Sequence, residues 1–137
     1  AFRGKEKNML IQGIHHICIK CDKSEIEKVK NFYGDVLGMP IVRSWGEEVT
    51  EGLMFDTGAG LIEVFTNATT PLPQGAVRHF ALRTGDVDKC AEVVRNAGYE
   101  VIIEPKDIVI QSAVPFPARI AFAIGPVGEE IEFFCEK

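Results

Sequence analysis

Two histidines and two glutamates stand at matching places in the two halves of this chain, and their types are those that hold a divalent metal ion. The first half opens with Gly13-Ile14-His15-His16-Ile17-Cys18-Ile19-Lys20 and closes with Leu61-Ile62-Glu63-Val64-Phe65. The second opens with Val77-Arg78-His79-Phe80-Ala81-Leu82-Arg83 and closes with Glu130-Ile131-Glu132-Phe133-Phe134. Each His and each Glu sits inside an apolar run, where a carboxylate is costly to bury unless something pairs with it. One cation held by His16, Glu63, His79 and Glu132 would satisfy all four. Two neutral imidazoles and two carboxylates balance its charge and leave positions open for water or substrate. Nickel, cobalt, zinc, manganese or iron suits such a nitrogen and oxygen set. The ligating forms are neutral histidine and ionised carboxylate, so binding weakens in acid.

The elements that must position these residues follow from periodicity. Ile11 to Lys20 alternates as a strand. Asp22-Lys23 breaks it, and Ser24-Glu25-Ile26-Glu27 has the form of a capping box. Ile26, Val29, Tyr33 and Val36 then recur at helical spacing, widened by Phe32 and Leu37 and stopped by Gly38. Segments 40–45, 50–56 and 61–65 read as three short strands. Asn67 to Gly75, rich in proline and threonine, is a linker. The second half repeats the order. Strand 77–83 comes first, followed by a helix capped by Asp86, with Cys90, Val93, Val94 and Ala97 on its inner face and Gly98 at its end. A strand at 100–104, resuming at 108–110, a loop at 112–118, and strands 119–124 and 130–135 around the Gly125-Pro126-Val127-Gly128 turn complete it. The predicted fold is therefore α+β: one domain over residues 9–137, built as two βαβββ modules (11–66 and 76–136) in pseudo-symmetric tandem around an open-barrel cleft. Two such sheets facing each other would bring the four residues to one cleft. Residues 1–8 are polar and aperiodic and read as a tail or expression remnant, with Met9 as the natural start.

Alternation also sorts the faces. His16 shares a face with Ile14, Cys18 and Lys20, Glu63 with Leu61 and Phe65, His79 with Ala81 and Arg83, and Glu132 with Glu130 and Phe134. The opposite faces are apolar throughout. His15 faces away from His16 and reads as structural, and Glu130 as a rim charge at the strand entry.

Bulk properties narrow the function classes. At 137 residues, 46% hydrophobic and 26% charged, the chain has the composition of a globular domain. A net charge of −5 argues against a nucleic-acid or anionic-membrane partner. No apolar stretch is long enough to span a bilayer. The four cysteines, Cys18, Cys21, Cys90 and Cys135, form no disulfide framework. Cys18 and Cys21, three apart on a strand, point to opposite faces. A reducing, cytoplasmic setting is the expectation, with a small-molecule substrate as partner.

These motifs, with the helix end Asn31-Phe32-Tyr33-Gly34-Asp35-Val36-Leu37-Gly38-Met39 and Gly128-Glu129-Glu130-Ile131-Glu132, resemble the vicinal oxygen chelate superfamily. That superfamily comprises glyoxalase I, epimerases, extradiol dioxygenases and fosfomycin- and bleomycin-resistance proteins. The resemblance covers nearly all of residues 11–136. It implies ligands on the first and last strand of each module, which are His16, Glu63, His79 and Glu132. Glu63 at the second ligand position looks like glyoxalase I. Lys20 stands where that enzyme has an arginine, and Asn67 where it has an asparagine for the thiol part of its substrate, so both are expected substrate contacts. Gly125-Pro126-Val127-Gly128 replaces the usual Asp-Pro-Asp-Gly. The resemblance implies a metal-dependent lyase or isomerase: Glu132 or Glu63 moves a proton between adjacent carbons of a vicinal-oxygen substrate, such as a hemithioacetal, through an enediolate. The alternatives are a related epimerase and a non-catalytic antibiotic-binding protein with an aromatic cleft, furnished by Trp45, Phe55, Phe65 and Phe116. Proteins of this kind pair as homodimers, with the site within or between chains.

Overall fold

The computed structural model describes residues 9–47, 51–69 and 72–137. Two four-stranded sheets carry the chain. The first module consists of β1 (His16–Lys20), α1 (Ile26–Lys30), β2 (Ile41–Trp45), β3 (Gly52–Asp56) and β4 (Leu61–Phe65). The second consists of β5 (Phe80–Arg83), α2 (Val87–Asn96), β6 (Val101–Ile110), β7 (Phe116–Ile124) and β8 (Glu130–Glu136). The strand orders are β1-β4-β3-β2 and β5-β8-β7-β6, so the second sheet repeats the first strand for strand. In each, the first and last strands of the module run parallel and the rest antiparallel. This is the two-module α+β architecture read from the sequence.

The local chemistry differs from the sequence reading in places. β1 begins only at His16, and Ile11 and Ile14 before it are exposed rather than paired. The capping box does not form. Asp22 caps instead, its carboxylate accepting from Ser24 N at 2.8 Å and starting a short tight turn before α1. That cap sits two residues earlier because Asp22 is already in extended backbone at the strand end. After α1, residues Asn31–Val36 continue as a wider helix, with Leu37 N donating to Phe32 O five residues back. The widening brings Phe32 and Tyr33 fully into the core and leaves Val36 half-buried. Gly38, at φ +79°, ends it. Asp86 caps α2 as expected, accepting from Lys89 N at 3.0 Å, but the buried face is Val87, Ala91 and Val94, and Ala97 is exposed. β6 is one strand with two irregularities rather than two strands, because Pro105, which cannot donate, lies on a sheet edge where no partner needs its N–H. β7 starts at Phe116, inside the segment read as loop. The linker lies partly outside the described residues; Asn67, at its start, bridges to Asp22.

One hydrophobic core joins the modules. Phe32 packs edge-on against Tyr33 and, across the boundary, against Tyr99, with ring centroids 4.8 and 4.7 Å apart. The Tyr33 hydroxyl donates to Glu129 Oε2 at 2.5 Å, and Val127 N donates to Glu129 Oε1 at 2.9 Å. Glu129 thus ties the turn before β8 to the helix of the other module. Burial pushes its carboxyl above the ordinary 4.5, only partly offset by these hydrogen bonds. The folded state therefore holds this proton more tightly than the unfolded chain. The stability this contributes is present below about pH 4.5 and is lost as pH rises through the folded-state value. Glu129→Gln is accordingly expected to melt higher than the parent at pH 7 and to show a flatter stability profile above pH 4.5. Thermal melts of both proteins across that range check it, and a lower midpoint for the variant at pH 7 would sink it.

Candidate metal centre

The parallel pairing of β1 with β4 sets the first pair of side chains. His16 stands opposite Leu61 and Glu63 opposite Cys18, so His16 and Glu63 meet on the diagonal of one sheet face. Their Nε2 and Oε1 atoms are 3.4 Å apart. The second module repeats the arrangement. Ala81 stands opposite Glu132, and His79, just before β5, reaches Glu132 diagonally, Nε2 to Oε1 at 3.2 Å. Even the exposures match: 38% for His16 and 41% for His79, 13% for Glu63 and 12% for Glu132. Behind each pair the opposite face is core, with Ile62, Val64, Ile131 and Phe133 buried. The alternation that put the polar residues on one face and the apolar ones under the helices is seen in both modules.

The two pairs do not come together within the chain. Among the described residues no group of three or more His, Cys, Asp or Glu is placed to hold one ion. The sequence left open whether the site lies within one chain or between two, and within one chain the facing sheets do not gather all four residues. Each sheet presents its own pair. Two grooves, of about 540 and 380 Å³, lie elsewhere, one between α1 and β2 around Lys30 and Met39, the other beside His15 and Gly60. Neither is lined by a His–Glu pair.

Around the pairs, burial raises the Glu132 carboxyl, and His79 beside it works in the opposite direction. Cys18, opposite Glu63, is exposed on the same face, whereas Cys21 is buried in the core, so the two thiols do point apart. The thiol of Cys18 is raised by burial and by the neighbouring Glu63. His79 lies edge-on to Phe122, centroids 5.1 Å apart. Lys20 is exposed on the face of His16, and Glu130 accepts from Gln74 at 2.7 Å on the rim.

One residue that the alternation argument set aside touches the site. His15 Nδ1 and His16 Nδ1 are 2.9 Å apart. Because β1 starts at His16, His15 is not bound by strand alternation to point away. Were His16 to offer an Nε2 lone pair, its Nδ1 would carry the proton, and His15 Nδ1 stands where it would accept it. The adjacent His-His dipeptide was the signal in the sequence. His15→Phe is expected to weaken metal binding by about tenfold or more, as loss of such an outer partner does. A competitive chelator titration reads it, and an unchanged affinity would remove His15 from the site.

Comparison with known proteins then places the chain. Its fold is similar to that of a protein assigned to the glyoxalase family from Bacillus anthracis (TM-score 0.70, 23% identity, covering 95% of this chain and 99% of that one). A glyoxalase family protein from Enterococcus faecalis is also similar (TM-score 0.68, 21% identity, 92% and 99% covered), as is an antibiotic binding protein from Streptomyces (TM-score 0.66, 21% identity, 95% and 100% covered). No curated protein matches it in sequence. The family model described as Glyoxalase/Bleomycin resistance protein/Dioxygenase superfamily matches residues 12–133, nearly the whole of both modules, and the chain belongs to that superfamily.

Proposed function

We propose that the protein is a metal-dependent lyase or isomerase of glyoxalase type, with its metal site shared between two copies of the chain. The observation that carries this reading is the duplicated His–Glu pair. Two donors at right angles on one ion, each about 2.1 Å from it, are about 3.0 Å apart. The pairs at 3.4 and 3.2 Å are close to that spacing, so the residues fit a metal. Each pair supplies half of a four-ligand set. His16 and Glu63 of one copy and His79 and Glu132 of the other would hold the ion. Support for a second copy comes from Ile14 and Val77, each two residues before a ligand histidine. They are 79% and 82% exposed at equivalent places in the two modules, apolar side chains that pairing would cover.

A divalent ion of the nickel, cobalt, zinc, manganese or iron group, held by these residues, would supply positive charge where negative charge develops on the substrate. The rest is done by the chain. His16 and His79 would act as ligands through Nε2, with His15 placed to hold the His16 ring. Glu132, or Glu63 in the other module, takes the proton from the carbon beside the carbonyl and returns it to the neighbouring carbon. Lys20 and Asn67 would hold the part of the substrate beyond the reacting carbons. Lys20 brings a point charge rather than a planar fork.

Elemental analysis after dialysis against nickel, cobalt and zinc, followed by hemithioacetal isomerisation with several thiols, tests the reading. The expected result is about one equivalent of metal per chain and turnover with at least one thiol. The antibiotic-binding neighbour supports a second reading, a binding protein without chemistry, and that reading is favoured by a metal content below about a tenth of an equivalent.

A further inference from the structure

The sheet face that carries His16 and Glu63 runs on into an aromatic row. Lys20 is paired with Phe65, Phe65 with Gly52, and Gly52 with Trp45. The four therefore stand in line across β1, β4, β3 and β2 on that face. Phe65 lies two residues beyond Glu63, about 6.6 Å along the strand. Its ring centroid is 5.3 Å from that of Trp45, and the ring planes meet at 59°. Gly52 makes this possible. A Cβ there would lie 2.3 Å from the indole carbons, so the missing side chain is the space through which Trp45 reaches across β3. Both rings stay half-exposed, and Lys20 at the end of the row is exposed. Phe55, the other aromatic of this module expected to line a cleft, is wholly buried and takes no part.

A pair of tilted rings kept partly open to solvent, next to a polar site and flanked by an ammonium, is a surface for a flat conjugated group. We propose that Trp45, Gly52 and Phe65 form a shelf that binds an aryl group of the substrate, with Lys20 favouring an aryl group that carries an anionic substituent. The substrate class is then an aryl vicinal-oxygen compound rather than a short aliphatic one. This rests on the proposed function in taking the His16–Glu63 pair as the place where the oxygens bind.

Three α-hydroxy acids with the same oxygen pair test it: lactate with a methyl group, mandelate with a phenyl, and 4-carboxymandelate with an anionic phenyl. Calorimetric titration of zinc-equilibrated protein is expected to show mandelate bound about tenfold tighter than lactate, and 4-carboxymandelate tighter again. Phe65→Leu should bring the mandelate-to-lactate ratio close to one, and Lys20→Met should remove the added step for 4-carboxymandelate. A ratio near one in the parent protein, or a ratio untouched by Phe65→Leu, overturns the shelf. Should Phe65→Leu fail to fold, the parent's emission decides, because Trp45 is the chain's one tryptophan. Mandelate must shift that emission and lactate must not. If zinc does not bind, the metal reading fails by itself. The same ratio measured on the metal-free protein then still upholds or overturns the shelf.

Discussion

Glu132→Gln is expected to lower turnover by about 10²–10⁴-fold, the range typical of removing a positioned acid–base group. The amide keeps the size and one oxygen of the side chain but can no longer take a proton. Its place in the structure makes the substitution clean. Glu132 is 12% exposed, on a strand whose neighbours Ile131 and Phe133 are core, and among the described residues its side chain pairs with His79 at 3.2 Å. Burial disfavours its charge, so the melting midpoint at pH 7 should not fall while activity is lost. Metal content measured alongside separates a lost ligand from a lost base. Turnover within about tenfold of the parent would remove Glu132 from the proton-transfer step, and Glu63, its counterpart on β4, would be the next residue to change.

The second large effect concerns where the site is assembled. A chain with His16→Ala and Glu63→Ala should be inactive, and so should a chain with His79→Ala and Glu132→Ala. Mixed and allowed to re-pair, they should recover about a quarter of parental activity. Half of the randomly formed dimers are then mixed, and each mixed dimer has one site with all four ligands and one with none. Recovery follows only if each site draws one pair from each copy. A site complete within one chain gives no recovery, because each chain lacks half the ligands. Stopped-time assays of the two variants before and after re-pairing read this directly. The geometry behind the expectation is the separation of the pairs, which form no larger group among the described residues of one chain.

The legible part of this molecule was the part written in period and repeat. A period of two over Leu61–Phe65 and Glu130–Glu136 determines that Ile62, Val64, Ile131 and Phe133 go inward and Glu63 and Glu132 outward, because a pleated strand gives no other choice. The matching order of the two halves determines matching sheets. Where local hydrogen bonding competed, the pattern was less informative. Asp22 outbid Ser24 for the cap, and the helix widened past Lys30 to bury Phe32 and Tyr33 together. Alternation was extended to His15, which lies outside the strand and whose ring comes within 2.9 Å of His16.

By itself, then, the sequence determined the two modules and the face on which each His and Glu lies, while the parallel pairing that brings His16 within 3.4 Å of Glu63 was seen only in the structure. The modules and faces depend on contacts within one sheet, where alternation is enough. The tertiary structure alone decided how the two sheets sit against each other. That depends on packing between modules, on Phe32 against Tyr99 and on the buried Tyr33–Glu129 bond. Neither contact has a periodic signature. This packing keeps the two His–Glu pairs apart within one chain.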